Sequence, residues 1–324
     1  MSARRRSGTM GMGTLALASP LFAHTGALPD PGRPWWTHWN PDALIIANLF
    51  FFVACYVSGI RHMRAQRGAD APVRPLQVWA FGAGIGCLIV ALLSPVDVLA
   101  GELLWVHMVQ HMTLMNLAAP LVVLGAPART ILWAFPPSVR GRIGRWRQLA
   151  ERRGLPRYMF WQPLFLWALY AFVLWVWHLP VLYEAALRHA WVHDVQHLIF
   201  FGVSGLFWRV MFDPIGRLRL SQGGAVLYLF ATSLHATMLG VFMALAPRVW
   251  YETYATRAPA WGMAALQDQQ LAGYIMWMPA CMIYALVAAI VFARWLQEGA
   301  DKSETETQVV AAGGAGVPIE GKGP

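Results

Sequence analysis

Apolar residues run unbroken for about 20 positions at a time along this chain, the length a helix needs to cross a bilayer core. They do so over 43–60, 77–94, 103–125, 159–178, 191–212, 223–246 and 269–296. The runs are continuous rather than alternating, so they predict helices and not the strands of a membrane barrel. The pattern gives an all-α polytopic membrane protein with seven transmembrane helices filling residues 43–296. Ahead of them, Arg4–Arg6, an apolar run from Met10 to Phe22 and Ala23 before His24 read as a signal peptide over 1–23, although Pro20 and several glycines weaken its core. Cleavage there would leave His24 as a free N-terminus, opening a periplasmic segment over 24–42. Residues 297–324 are polar and Gly-rich and predict a disordered cytoplasmic tail.

Composition agrees with the pattern. The 324 residues are 57% hydrophobic and only 13% charged, with a mean hydropathy of +0.45. A soluble domain has about 25% charged residues, so that class is excluded. The net charge of +9 raises nucleic acid as a partner, and the position of the charges decides against it. Arginines crowd the loops after spans one (Arg61, Arg64, Arg67, Arg74), three (Arg129 through Arg157) and five (Arg209, Arg217, Arg219), while the opposite loops carry Arg188, Arg248 and Arg257. Positive loops stay inside, which places the N-terminus outside and the C-terminus in the cytoplasm. The basic stretch Gly141–Arg153 then reads as an inner loop drawn to anionic lipid, not as a nucleic-acid patch. Cys55, Cys87 and Cys281 lie inside apolar runs with no ligand spacing and read as packing residues.

Ionisable groups inside spans are costly and point to function. His107 and His111 lie in the outer half of span three, and His178 closes span four. His193, Asp194 and His197 open span five, and His235 sits near the middle of span six. An HxxxH pair turns through about 400° of helix, so both imidazoles share a face one turn apart. Two such pairs at matching depth on two helices can converge on one ion. The expected metal ligands are His107, His111, His193 and His197, with His235 as a fifth or alternative ligand and His178 at the rim. Asp194 or Asp268 would orient imidazoles from outside the ligand shell, or join it if the ion is harder. Imidazole suits zinc, copper, iron and nickel alike. Met108, Met112 and Met115 beside the histidines lean toward copper, although methionine also fills apolar gaps anywhere.

The same blocks repeat. Residues 105–112 read WVHMVQHM and residues 191–198 read WVHDVQHL, with Pro95-Val96 and Pro180-Val181 upstream. Spans two–three and four–five read as duplicated helix pairs, with spans six–seven as a degraded third copy opened by Asp268-Gln269-Gln270. Pro120, Pro163 and Pro279 predict kinks, and Gly82, Gly84 and Gly86 predict close helix approach.

His107-Met-Val-Gln-His111 running into Asn116-Leu-Ala-Ala-Pro120 and Leu124-Gly-Ala-Pro127 resembles the multi-spanning CtaG-type cytochrome c oxidase assembly factors. The blocks around His193–His197, around His235, and from Asp268 to Trp277 resemble them too, so the likeness covers roughly 40–296. It implies a non-enzymatic factor that matures a haem–copper oxidase, handling copper for a nascent oxidase subunit. The thiolate mechanism of an unrelated single-span copper chaperone of the same name does not transfer, because the chain has no CxC pair. The residues themselves leave other readings open. A zinc-dependent intramembrane hydrolase would use Asp194 as base on a zinc-bound water. A membrane redox protein would ligate haem between facing histidines. A scaffold would use the histidines only as hydrogen-bonders between helices.

Overall fold

The computed structural model describes residues 34–68, 73–152, 163–212 and 220–314, and every regular element among them is helical. Six helical stretches are long and apolar enough to cross a membrane. They are α1 (Ala43–Arg67), α2 (Pro75–Leu93), a composite third span over Leu104–Leu124, α10 (Ala190–Phe212), α11 (Gln222–Ala244) and the Ala265–Gly299 part of α13 (Ala265–Gly314). Between α2 and the third span lies the short α3 (Pro95–Ala100). The third span itself joins α4 (Leu104–Met112), a π-helical segment (Thr113–Ala118) and α5 (Ala119–Leu124). After it come α6 (Pro127–Leu132) and α7 (Pro137–Arg152).

The expected fourth span, 159–178, ends in a bend, and its first residues, 159–162, lie outside the described ones. α8 (Pro163–Trp177) has 15 described residues, and the candidate spans number seven if it counts as one with α9 (Pro180–Arg188), which it meets at a 70° bend. The cause is Pro180, which drives Leu179 out of the helical region to ψ 131°. Pro163 is the first described residue of α8, so the kink expected there falls at the edge of the described residues. α13 continues to Gly314, through much of the stretch expected to be a disordered tail. The signal peptide expected over 1–23 lies outside the described residues, as does the segment 24–33.

The composite third span is the axle of the bundle: 61% of its apolar window is buried, against 17% for α1 and for α13. On one side it packs with α1 and α2 around Tyr56, Phe81 and Val122. On the other it packs directly on α10 and α13, in a core shared with α8 and α11 that holds Met108, Tyr170, Phe207 and Trp208. Its π-helical turn leaves one carbonyl to be satisfied from outside the helix. In that register the Met115 carbonyl would pair with residue 120, which is a proline and has no N–H. The Trp208 indole of α10 donates to that carbonyl instead, at 2.9 Å.

Close approach is concentrated at a few glycines. A Cβ on Gly84 would fall 2.9 Å from the Val122 nitrogen, so α2 seats on the third span there, whereas Gly82 and Gly86 have open space and serve no such contact. α11 and α13 touch backbone to backbone at Gly240 and Gly273, where a Cβ on Gly273 would lie 2.6 Å from the Gly240 oxygen. Gly273→Ala should therefore cost about 1–3 kcal/mol of stability, while Gly82→Ala should be neutral. The midpoint of denaturing-detergent unfolding of the two variants checks this.

Candidate metal centre

The histidine pairs sit on the first turns of α4 and α10, and the helices bring them face to face. His107 and His111 lie with ring centroids 4.3 Å apart, and His193 and His197 with centroids 4.0 Å apart. Across the helices, His107 is 5.2 Å from His193 and His111 is 5.5 Å from His197. One nitrogen from each of the four rings can be chosen so that all lie within 4.8 Å of one another. Nitrogens bound tetrahedrally at about 2.0 Å would stand about 3.3 Å apart. Small ring rotations close that difference, so the donor set fits a single ion. His107, His111 and His197 are buried and His193 is half-buried, which makes His193 the side open to the surroundings.

Hydrogen bonds select the lone pairs. Tyr254 donates its hydroxyl to the Ala100 carbonyl at 2.7 Å, so its oxygen accepts from His107 Nδ1 at 2.8 Å. That bond leaves the His107 Nε2 lone pair facing inward, 2.9 Å from His111 Nε2. Burial pushes the Tyr254 phenol well above its ordinary pKa, so it stays a hydroxyl and keeps both bonds. Such partners orient a metal-bound imidazole and fix its tautomer. Tyr183 and Phe200 wall the site, 5.1 Å from His107 and 4.8 Å from His111.

Tyr254 is itself held by a cap of short helices. It belongs to α12 (Glu252–Arg257), whose Thr253 donates its N–H and hydroxyl to Glu184 of α9 at 3.0 and 2.6 Å. Tyr251 stacks on Tyr183 at 4.1 Å. Arg257 donates to the Gly101 carbonyl at the end of α3. The polar and aromatic segment from Trp250 to Arg257 thus forms a lid over the histidine site.

Asp268 does not reach the imidazoles. Its two carboxylate oxygens accept from the Leu104 and Trp105 N–H groups, both at 2.9 Å. α4 begins after Leu103, which has no capping side chain, and Asp268 supplies the missing cap from α13. It positions the histidines by holding their helix. Asp194 is half-buried and outside the group of four.

His235 is not brought to the centre. α11 packs along α13 and α8 rather than beside α4 and α10, and the His235 ring lies 5.6 Å from Trp167 and 6.2 Å from Tyr170. His178 is buried at the α8–α9 bend, where its Nδ1 donates to the Leu174 carbonyl at 2.6 Å. It shares the Tyr183 and Phe200 walls but is not one of the four. Two residues escaped the sequence reading. Buried Asp97 accepts from Gln110 and Asn40, each at 2.7 Å, and Gln110 also donates to the Ala91 carbonyl. The signal was the glutamine repeated in both VQH blocks.

The family of cytochrome c oxidase caa3 assembly factors (Caa3_CtaG) matches residues 54–298, which include all four histidines, Asp268 and Tyr254. The chain belongs to this family. As a Caa3_CtaG protein it is also similar to uncharacterized proteins of Mycobacterium bovis and Mycobacterium tuberculosis, each 25% identical over 81% of this chain and 40% of theirs. A Mycobacterium leprae relative is 24% identical over 84% of the chain and 42% of its own length. The chain therefore spans about two fifths of the curated relatives it matches. No solved structure matches it.

In this Caa3_CtaG chain, Tyr254→Phe should keep the fold and weaken metal binding about 10–100-fold, by freeing the His107 tautomer. Asp268→Ala should lower stability by about 0.5–2 kcal/mol through the lost cap. Metal titration and detergent unfolding of both variants separate the two effects.

Proposed function

We propose that the chain assists assembly of a haem–copper cytochrome c oxidase by holding copper as cargo at His107, His111, His193 and His197 and passing it to a nascent oxidase subunit. The four converging imidazoles carry this reading. The family supports the oxidase as destination. The group contains no thiolate or carboxylate, and an all-imidazole set of neutral ligands accepts copper without adding negative charge to a membrane interior. Half-buried His193 is the exit side in this reading, while Tyr254 keeps His107 oriented behind it.

The arginine distribution supports an orientation with the N-terminus outside and the C-terminus inside a bacterial plasma membrane. The centre then faces the periplasm. The pattern of long helix, short helix, long helix occurs as α2, α3 and the third span, as α8–α9–α10 and as α11–α12–α13. In our reading these are repeated units, the first two keeping the HxxxH face and the third replacing it with Asp268, which caps α4 of the first.

Elemental mass spectrometry of the purified, copper-loaded chain tests the proposal. The wild type should hold about one copper per chain, and a His107→Ala/His193→Ala variant should hold none while retaining its helical circular dichroism. Cells carrying that variant should lose oxidase activity. Zinc taken up in preference to copper would turn the reading toward a metallohydrolase, and iron toward a haem protein. Wild-type protein that binds no metal would leave a scaffold.

A further inference from the structure

At the end of the bundle opposite the histidines, α7 (Pro137–Arg152) has features that the metal centre does not use. It carries five arginines, Arg140, Arg142, Arg145, Arg147 and Arg152, against one acid, Glu151. Val139, Ile143 and Trp146 recur at four- and three-residue spacing, which puts them on one face of the helix. Ile143 and Trp146 are exposed, Trp146 to 73%. Among the described residues no helix packs along α7.

Its start is anchored at the membrane edge. The Arg140 guanidinium lies 4.3 Å from the Trp133 ring centroid. The guanidinium of Arg67, the last residue of membrane-spanning α1, lies 5.1 Å from the same ring. Trp133 thus ties the first turn of α7 to the level at which span one ends. Gly141 and Gly144 each cost about 1 kcal/mol relative to alanine inside a helix, and a 16-residue helix without packing is marginal in water. The helix needs a surface to lie on.

We infer that α7 is an interfacial helix that docks on anionic phospholipid, with Ile143 and Trp146 inserted at the acyl boundary and Arg140, Arg142 and Arg145 paired with headgroup phosphates. Planar guanidinium suits phosphate, and an apolar stripe flanked by arginines at a bilayer edge is the pattern of a helix lying in the interface. An acidic protein face is the competing occupant, and it would leave α7 equally protected in the two lipids. This inference is independent of the metal centre.

Hydrogen–deuterium exchange of the full chain in nanodiscs tests it. In phosphatidylglycerol–phosphatidylcholine discs, amides over 140–152 should exchange about tenfold more slowly than in phosphatidylcholine discs. The difference should vanish in an R140Q/R142Q/R145Q variant whose α4 protection is unchanged. Equal exchange in the two lipids, or a lipid difference that survives the triple substitution, overturns the proposal.

Discussion

Four imidazoles packed together in an apolar helical bundle, three of them buried, carry most of their ring nitrogens away from water. Each nitrogen left without a partner costs free energy. Much of the surrounding architecture follows from that constraint. The helices that bring the rings together must be held at fixed height and rotation, because a one-residue slip would turn an HxxxH face by 100° and separate the donors. The supports come from far away in sequence: Asp268 caps α4 across 164 residues, and Tyr254 reaches His107 across 147.

The supports also explain the order of the helices. Each short helix turns the chain over the histidine end of the bundle, and α3, α9 and α12 are tied to one another through Tyr254, Arg257 and Glu184. A lid built this way buries three of the four rings and leaves His193 half-exposed. Below it, the π-helical turn at Thr113–Ala118 runs into Pro120, and Trp208 of α10 takes the carbonyl the proline cannot satisfy. The bond fastens α10 to the third span below the histidines, in the same pair of helices that carries the site.

How much of this the sequence discloses depends on whether the information is local. The spans were legible because bilayer thickness fixes their length, and α1, α2, the third span, α10 and α11 fall within a few residues of the apolar runs, with α1 extending further at its basic end. The four ligand candidates were legible because two HxxxH pairs at one depth need only the helical period. His235 has the right chemistry near the same depth, but depth does not say which helices are neighbours, and α11 faces α8. Asp268 was noticed as a carboxylate near the site, yet its role as a cap depends on α13 crossing the start of α4. Tyr254 sat among several aromatic residues in a loop with nothing local to single it out. Gly240 and Gly273 matter only because two backbones meet there, while Gly82 and Gly86, part of a more visible pattern, face open space.

The central claim is that one ion binds between α4 and α10 through imidazole nitrogen. X-ray absorption at the copper edge of the loaded, full-length chain tests it most directly. The account predicts a shell of about four nitrogens near 2.0 Å, with the imidazole ring's outer-shell scattering. A shell dominated by sulfur at about 2.3 Å, or by oxygen with no imidazole pattern, would contradict it.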